Sequence, residues 1–336
     1  MARVPRRHAN YISKWLRVWL WITCGSAVGH PSNGSIAQRE DERQMPNQKK
    51  NIAFIGLGAM GQPMAGHLLA AGFKVSGFDL SEEARSKFAT NGGNACSEIS
   101  TALWNADYVI TMLPNGRIVR DALMKNEHWR SLKNSCLVID MSSSAPSDTQ
   151  VLSRELVAKG ARLIDAPVSG GTKRAISRSL TIMAGGENSD IDDAMPVLEA
   201  MGKQIFRTGP VGSGHAMKAI NNYVSGAGVV ATLEGVLLAQ KFGLEAEAVV
   251  EILNASSGKN NASDVKMKQF VLSGTFDSGF AAGLMAKDIR IAAELAKTLE
   301  MRLSGLNATA AIWEEAAEEL GPASDHTMIA KYLKNR

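Results

Sequence analysis

The sequence Asn51-Ile-Ala-Phe-Ile-Gly56-Leu-Gly58-Ala-Met-Gly61 decides the fold of this chain. The apolar run before the first glycine is typical of a buried strand. Glycines at this spacing permit a tight turn and let backbone amides approach a pyrophosphate, whose charge also meets the positive end of the following helix. The segment therefore predicts a strand, a phosphate-binding turn and a helix, which together open a dinucleotide-binding domain.

Asp79 ends the next predicted strand, about where an acidic residue accepts hydrogen bonds from the adenosine ribose. Its charge would repel a ribose 2′-phosphate, and no arginine follows it immediately. Arg85 lies further along, in a predicted helix, where we expect a solvated surface charge. These residues favour NAD over NADP as the cofactor. The strand and helix around the glycines, together with Asp79, disfavour the alternative that this is a glycine-rich turn in an unrelated α/β protein.

Short β-branched runs alternate with amphipathic stretches up to about residue 209, which is typical of a parallel sheet covered by helices. Residues 214–242 then form an apolar run that predicts one long buried helix ending at Gly243. Helical periodicity follows, with no convincing strand. We predict an α/β Rossmann-like dinucleotide-binding domain over residues 49–209 and an all-helical domain for substrate binding and oligomerisation over residues 210–336, joined by the long helix.

The first 48 residues differ in composition from the rest of the chain. They hold no acidic residue before Glu40, and the whole formal excess of +4 falls within them. We expect a disordered leader, or a non-native extension before a natural start at Met45; a targeting presequence is the remaining alternative.

The rest of the chain is balanced in charge, so we expect no nucleic-acid partner. We also expect no membrane span, the longest apolar run being residues 15–22, with Arg17 inside it. The three cysteines lack CxxC spacing, which predicts neither a disulfide framework nor a metal site and favours a cytoplasmic location.

The long predicted helix carries one polar stripe, because Lys218, Asn221, Asn222 and Ser225 fall at positions i, i+3, i+4 and i+7. Desolvation lowers the pKa of a buried lysine toward the range in which it exchanges protons at neutral pH. Lys218 is therefore the candidate general acid and base. The alternative is a lysine that reaches the surface near the helix N-terminus.

A second candidate site follows a predicted strand, in Asp165-Ala-Pro-Val-Ser169-Gly170-Gly171-Thr172. Its small residues expose backbone amides and hydroxyl groups that can bind a carboxylate. The alternative is an ordinary glycine-rich turn. A third feature, Lys287-Asp288, on its own indicates a solvated pair of charges on a helix.

These features, in this order, resemble the 3-hydroxyisobutyrate dehydrogenase family, the β-hydroxyacid dehydrogenases related to 6-phosphogluconate dehydrogenase. The likeness extends from about Lys50 to Tyr332. Six motifs carry it: Gly56-Leu-Gly-Ala-Met-Gly-Gln-Pro-Met-Ala65, Met112-Leu113-Pro114, Asp140-Met-Ser-Ser143, Asp165-Ala-Pro-Val-Ser-Gly-Gly-Thr172, Gly212-Ser-Gly-His-Ala-Met-Lys218-Ala-Ile-Asn-Asn222 and Leu284-Met-Ala-Lys287-Asp288.

The resemblance implies an NAD(P)-dependent oxidoreductase that interconverts a small 3-hydroxy acid, such as 3-hydroxyisobutyrate, and its semialdehyde, with Lys218 as general acid and base and no metal. It also implies a homodimer or homotetramer. The implied contacts of the substrate carboxylate are Ser169, Gly170, Gly171 and Asn222. The implied cofactor contacts are Gly56, Leu57, Gly58, Ala59, Met60, Gly61, Asp79, Leu113, Pro114, Ser143 and Lys287, the last reaching over from the helical domain.

Two other functions remain open: a reductase of the same family acting on tartronate semialdehyde, glyoxylate or succinic semialdehyde, and a non-catalytic NAD-binding sensor. Retention of Lys218, Asn222 and Ser169 argues against the sensor, since a binder has no need of a buried lysine. The chain departs from the family pattern at His67, where asparagine is usual, and at Arg178-Ser179-Leu180, in place of Gly-Thr-Leu. Arg178 either favours a more acidic substrate or points to solvent.

Overall fold

The computed structural model describes residues 50–336, so the predicted leader lies outside the described residues. One nine-stranded sheet is present. Its strands, in chain order, are β1 (Asn51–Ile55), β2 (Lys74–Phe78), β3 (Asn94–Ala95), β4 (Tyr108–Thr111), β5 (Leu137–Asp140), β6 (Arg162–Asp165), β7 (Val168–Ser169), β8 (Leu180–Gly185) and β9 (Gly202–Gly209).

Helices cover both faces of this sheet and form most of the described chain after residue 212. The α-helices are α1 (Gly61–Ala70), α2 (Glu82–Thr90), α3 (Ile99–Leu103), α4 (Gly116–Met124), α5 (Pro146–Val157), α6 (Gly171–Ile176), α7 (Asn188–Met201), α8 (Ser213–Phe242), α9 (Ala246–Ala255), α10 (Ala282–Thr298), α11 (Ser304–Leu320) and α12 (Ile329–Lys334). Residues Ala262–Leu272 form a π-helix, and Lys125–Ser131 and His326–Met328 are 3₁₀ turns.

The strand order β3-β2-β1-β4-β5-β6 is that of a dinucleotide-binding sheet, and each of these neighbouring pairs is parallel. The expectation of a parallel sheet is wrong at its far edge, where β8 pairs antiparallel with β6 and β7. A short connection can reverse the chain, whereas a parallel return needs a long crossover. The predicted carboxylate loop, residues 165–172, contains β7 and the start of α6, which lead into this reversal.

The predicted strands and helices are present, with ends shifted by a few residues. The sequence pattern missed β3 and β7, because a two-residue strand has no measurable periodicity. It also missed β9, an edge strand with mostly exposed side chains, and the helices α3, α4, α6, α7 and α12.

Apolar side chains form a core on each face of the sheet and a separate core in the helical region. Trp313 of α11 is fully buried in the helical core and donates a hydrogen bond from Nε1 to the carbonyl oxygen of Gly226 on α8, over 3.2 Å. Since α8 also contacts the end of the sheet at β8, this packing holds the long helix between the two regions.

Helix α8 is only half buried, which corrects the expectation of a buried helix. Val224, Leu238 and Phe242 are exposed to 62%, 74% and 84%. By length and composition alone this helix could cross a membrane, since it has 30 residues and a mean hydropathy of 1.3 over an 18-residue window. Its other face packs on α10 and α11 as a core helix does.

Candidate active site

The turn between β1 and α1 has the close backbone packing that a phosphate-binding turn requires. Gly56 has a φ of +102°, and a Cβ atom there would lie 2.3 Å from the carbonyl oxygen of Met112. At Gly61 a Cβ atom would lie 1.9 Å from the carbonyl oxygen of Gly56, so only glycine fits either position. Gly58 and Ala59 are exposed and Met60 is partly exposed at the turn. These residues fit a dinucleotide pyrophosphate at the N-terminus of α1.

Asp79 lies directly beside this turn, at the end of β2. Its Oδ2 accepts a hydrogen bond from the amide of Leu57 over 2.7 Å, and its Oδ1 accepts one from the amide of Ser81 over 2.8 Å. The Arg85 guanidinium donates to the carbonyl oxygens of Asp79 and Leu80, over 2.6 and 3.2 Å. The expectation of a solvated Arg85 is therefore wrong, because its cation is partly buried and bound to the backbone at the end of β2.

The loops after β4 and β5 meet at the next part of the site. The amide of Leu113 donates to Ser142 Oγ over 2.9 Å. Lys287 extends from α10, and its Nζ donates to the carbonyl oxygens of Pro114 and Ser143 over 2.9 and 2.8 Å. One ammonium group thus fastens the helical region to both loops.

Lys218 lies on the face of α8 that turns toward α10. Burial lowers the pKa of Lys218; the positive charge of Lys287 lowers it further, while the negative charge of Asp288 opposes both. The side chain is partly exposed, but its amine lies close enough to Lys287 and Asp288 of α10 for their charges to shift its pKa, which favours an enclosed lysine over one that extends into bulk water. A buried amine with a lowered pKa can exchange a proton near neutral pH.

Asn222, one turn after Lys218, is held at both ends of its amide. Its Nδ2 donates to Asp288 Oδ2 over 2.6 Å, and its Oδ1 accepts from Asn221 Nδ2 over 3.0 Å. Asp288 is buried and lies 3.2 Å from Lys287 Nζ through its other oxygen. Lys287 and Asp288 are therefore not a solvated pair, and the second N–H of the Asn222 amide remains available for a substrate.

A buried polar network anchors the first turn of α8. Asp165 accepts hydrogen bonds from the amides of Gly212 and His215, over 2.6 and 2.8 Å. The His215 ring lies 2.8 Å from Thr149 Oγ1 and 3.1 Å from the carbonyl oxygen of Ser142. Burial raises the pKa of Asp165, which the neighbouring His215 opposes. Because Lys218 follows within one turn, this network sets its position.

The predicted carboxylate loop bends sharply after β7. Ser169 pairs with Thr181 of β8, and Gly170 and Gly171 follow with φ values of +133° and +63°. The start of α6 then meets the helical region: Lys173 Nζ lies 5.5 Å from the centroid of the Phe270 ring. Among the described hydrogen bonds, none joins this loop to Lys218 or Asn222.

His67 and Arg178, both departures from the family pattern, have different structural roles. His67 Nε2 lies 2.9 and 3.1 Å from the carbonyl oxygens of Ala175 and Ile176, so it ties the cofactor helix α1 to the end of α6. Arg178 is exposed and donates to the carbonyl oxygen of Glu199 over 3.0 Å. Arg178 therefore points away from the site, and it supports no preference for an acidic substrate.

Sequence reasoning missed a second polar cluster, which lies beside Ser225 and contains Lys266, Asp325 and His326. Lys266 Nζ lies 3.2 Å from Ser225 Oγ. The partners come from α8, the π-helix and the C-terminal turn, far apart in the chain. The only signal in the sequence was Ser225 itself, which extends the polar stripe of α8 and so indicates a polar neighbour at that position.

Comparisons with known proteins agree with this arrangement. The family described as "NAD binding domain of 6-phosphogluconate dehydrogenase" matches residues 51–209, and "NAD-binding of NADP-dependent 3-hydroxyisobutyrate dehydrogenase" matches residues 212–333. The chain is 39% identical to a 2-(hydroxymethyl)glutarate dehydrogenase of Eubacterium barkeri, over 73% of this chain and 82% of that protein. It is 37% identical to the mitochondrial 3-hydroxyisobutyrate dehydrogenase of Drosophila melanogaster, over 74% and 78%.

A solved structure of the Mycobacterium tuberculosis 3-hydroxyisobutyrate dehydrogenase with L-serine superimposes with a TM-score of 0.80 and 31% identity, covering 85% of this chain and 99% of that one. The glycine turn, the loops joined by Lys287 and the enclosed Lys218 thus occur in a chain whose similarity extends over both regions. The chain belongs to the 3-hydroxyisobutyrate dehydrogenase family of NAD(P)-dependent oxidoreductases that act on CH–OH groups.

Proposed function

We propose that this enzyme oxidises a small 3-hydroxy acid to the corresponding semialdehyde, and reduces the semialdehyde in the reverse direction, with Lys218 as general base and general acid. The observation that carries the proposal is the enclosed position of Lys218 beside Asn222, Asp288 and Lys287, because this cluster is joined through Lys287 to the loops at the predicted cofactor site.

When bound, the nicotinamide supplies the hydride acceptor, which takes the hydrogen and its electron pair from the carbinol carbon. Lys218 Nζ, unprotonated, takes the proton of the substrate hydroxyl, so that the C–O bond becomes a carbonyl. In reduction the same ammonium returns its proton to the developing alkoxide. Asp288 and Lys287 adjust the proton affinity of Lys218 by their opposite charges.

The substrate carboxylate, in this proposal, is held by the Ser169 hydroxyl, the amides of Gly170 and Gly171, and the free N–H of Asn222. Holding the carboxylate at one end leaves the hydroxyl-bearing carbon facing the cofactor, so the contribution to rate is mainly orientation and electrostatics. The names of the relatives support this class of substrate, because 3-hydroxyisobutyrate and 2-(hydroxymethyl)glutarate each place a CH–OH group near a carboxylate.

The cofactor is NAD or NADP, and we propose NAD as the preferred one because Asp79 carries its negative charge at the predicted ribose position. Arg85 weakens that preference, since its cation touches the same strand end. A cytoplasmic location stays a prediction.

We propose that the helical region, residues 210–336, also forms the contact of a homodimer or homotetramer. The exposed apolar stripe of α8 includes Met217, Ile220, Val224, Leu238 and Phe242. A stripe of this length buries enough apolar surface against a second copy to contribute to a stable interface.

The proposal is tested with Lys218→Ala, assayed against a panel of 3-hydroxy acids and semialdehydes with both cofactors. We expect kcat to fall by about 10²- to 10⁴-fold in both directions, while NADH affinity measured by fluorescence changes little. Lys241→Ala, an exposed lysine at the end of the same helix, is the matched control and keeps full turnover. Turnover retained by Lys218→Ala would remove Lys218 from the chemistry.

A further inference from the structure

Lys266 is a partly buried cation with an unusual set of neighbours. It lies on the π-helix, and its Nζ lies 3.2 Å from Ser225 Oγ, the last member of the polar stripe that begins at Lys218. Among the described residues, no carboxylate lies within 4.0 Å of this ammonium. π-Helical turns occur frequently at functional sites, since they cost backbone stability and persist where a side chain must be placed.

The charges around Lys266 do not neutralise it. Burial lowers the pKa of Lys266 to about 8, and Asp325 raises it only in part. The Asp325 carboxylate is occupied by the hydroxyl of Ser278 and the amides of Gly279 and Thr327, over 2.8 to 2.9 Å. Burial and the charge of Lys266 together lower the pKa of His326 to about 4, so this ring is neutral at pH 7. One positive charge without a close counter-ion therefore remains.

The Lys266 ammonium lies near residues that are predicted to contact the substrate. Ser225 follows Asn222 by three residues on the same face of α8, so Lys266 lies further along the stripe from Lys218. Phe270, four residues after Lys266 on the π-helix, lies under Lys173 next to the carboxylate loop. Lys266 thus lies beyond Asn222, on the π-helix whose Phe270 contacts Lys173 at the start of α6.

We propose that Lys266 and Ser225 form a second anion subsite, which binds a distal acidic group of the substrate at the end of the pocket opposite the nicotinamide. The preferred substrate is then a 3-hydroxy acid with two negative charges, such as a dicarboxylate. This inference rests on the proposed function, since it extends the same substrate pocket. The distal anion supplies the counter-ion that Lys266 lacks and accepts hydrogen bonds from its ammonium and from the Ser225 hydroxyl.

The test compares two substrates that differ by one charged group, 2-(hydroxymethyl)butanoate and 2-(hydroxymethyl)pentanedioate, in the parent enzyme and in Lys266→Met. We expect the parent to prefer the dianion. In Lys266→Met the ratio of kcat/KM for dianion over monoanion falls by about 10- to 100-fold, mainly through KM of the dianion. Lys266→Arg keeps most of the ratio, because it retains the charge. An unchanged ratio in Lys266→Met overturns the subsite.

The matched control is Lys268→Met, since Lys268 lies on the same π-helix but is exposed and paired with Glu251. We expect Lys268→Met to leave the ratio of kcat/KM for dianion over monoanion unchanged. A thermal melt of each variant checks that it folds.

A binding measurement separates this inference from the proposed reaction. Glutarate and butyrate cannot be oxidised at a carbinol, so their affinities for the NAD-saturated enzyme, measured by titration calorimetry, do not depend on turnover. Glutarate that binds more tightly than butyrate, and loses this advantage in Lys266→Met, supports the subsite even if no 3-hydroxy acid is turned over. Equal affinities, or an advantage that persists in Lys266→Met, overturn it even if the proposed reaction is confirmed.

Discussion

Asn222 and Asp288 are joined by a 2.6 Å hydrogen bond between side chains 66 residues apart in the chain. The bond fixes which end of the Asn222 amide is the donor, because a carboxylate only accepts. It also brings the negative charge of Asp288 close enough to raise the pKa of Lys218 against the effect of burial. Asp288 therefore positions the Asn222 side chain and raises the pKa of Lys218.

Asp288→Asn tests this role. Loss of the negative charge lowers the pKa of Lys218, so the rise of the oxidation rate with pH moves to lower pH. We expect kcat/KM to fall by about 10- to 100-fold as the Asn222 amide loses its fixed orientation. Glu294→Gln, an exposed acid on the same helix, is the control. A rate profile with an unshifted midpoint contradicts the electrostatic role.

The parent enzyme has a pH dependence of defined sign. Lys218 accepts a proton in oxidation only when it is unprotonated, so kcat for oxidation rises as pH passes through its pKa, and kcat for reduction falls. Because burial lowers that pKa from the ordinary lysine value of 10.5, the change falls below pH 10.5. Steady-state rates in both directions measure it. Rates of oxidation and reduction that do not change with pH below 10.5 contradict the role of Lys218 as general base and acid.

Lys287→Met removes the ammonium that bonds Pro114 and Ser143. We expect KM for the cofactor to rise about 10-fold, since the helical region is no longer fastened to the loops after β4 and β5. The pKa of Lys218 rises with the loss of a nearby positive charge, so the midpoint moves to higher pH, opposite to Asp288→Asn. Lys297→Met, an exposed position on α10, is the control and leaves both quantities unchanged. If the pH–rate profiles of the parent and of Lys287→Met have the same midpoint, Lys287 does not affect the pKa of Lys218.

Cofactor choice is predicted to depend on Asp79 and Arg85 together. Asp79→Ser removes the charge that repels a 2′-phosphate, so the ratio of kcat/KM for NADP over NAD rises, by about 10-fold or more. Adding Arg85→Ala removes the cation that touches the same strand end and reverses most of the gain, whereas adding Lys87→Ala does not. Strong NADP use by the parent enzyme contradicts the role given to Asp79.

Val224→Asp tests the interface on α8. A charge in the middle of the exposed stripe costs more in a buried interface than in water, so we expect a shift from dimer or tetramer to monomer. Light scattering after size exclusion measures the mass. Glu234→Gln, at an exposed position on the same helix, is the control and leaves the measured mass unchanged. A parent protein that is already monomeric contradicts the proposed assembly.

Local pattern alone was enough to predict the dinucleotide-binding turn. Gly56 and Gly61 lie where the backbone packs too closely for any other residue, and the surrounding strand and helix have periods readable over a few residues. The stripe of Lys218 and Asn222 was equally readable, because helical spacing places them on one face. The short strands β3 and β7 were not, since two residues have no period.

The amino-acid sequence by itself determined which residues share an element and a face, because that information is carried by near neighbours in the chain. Tertiary structure alone decided that Arg85 returns to the end of β2, that Lys287 bridges two loops, that Lys266 lies beside Ser225, and that one face of α8 stays uncovered. Each of these contacts depends on how elements distant in the sequence pack together. The burial and pKa of a side chain depend on such distant neighbours, which local sequence periodicity does not reveal.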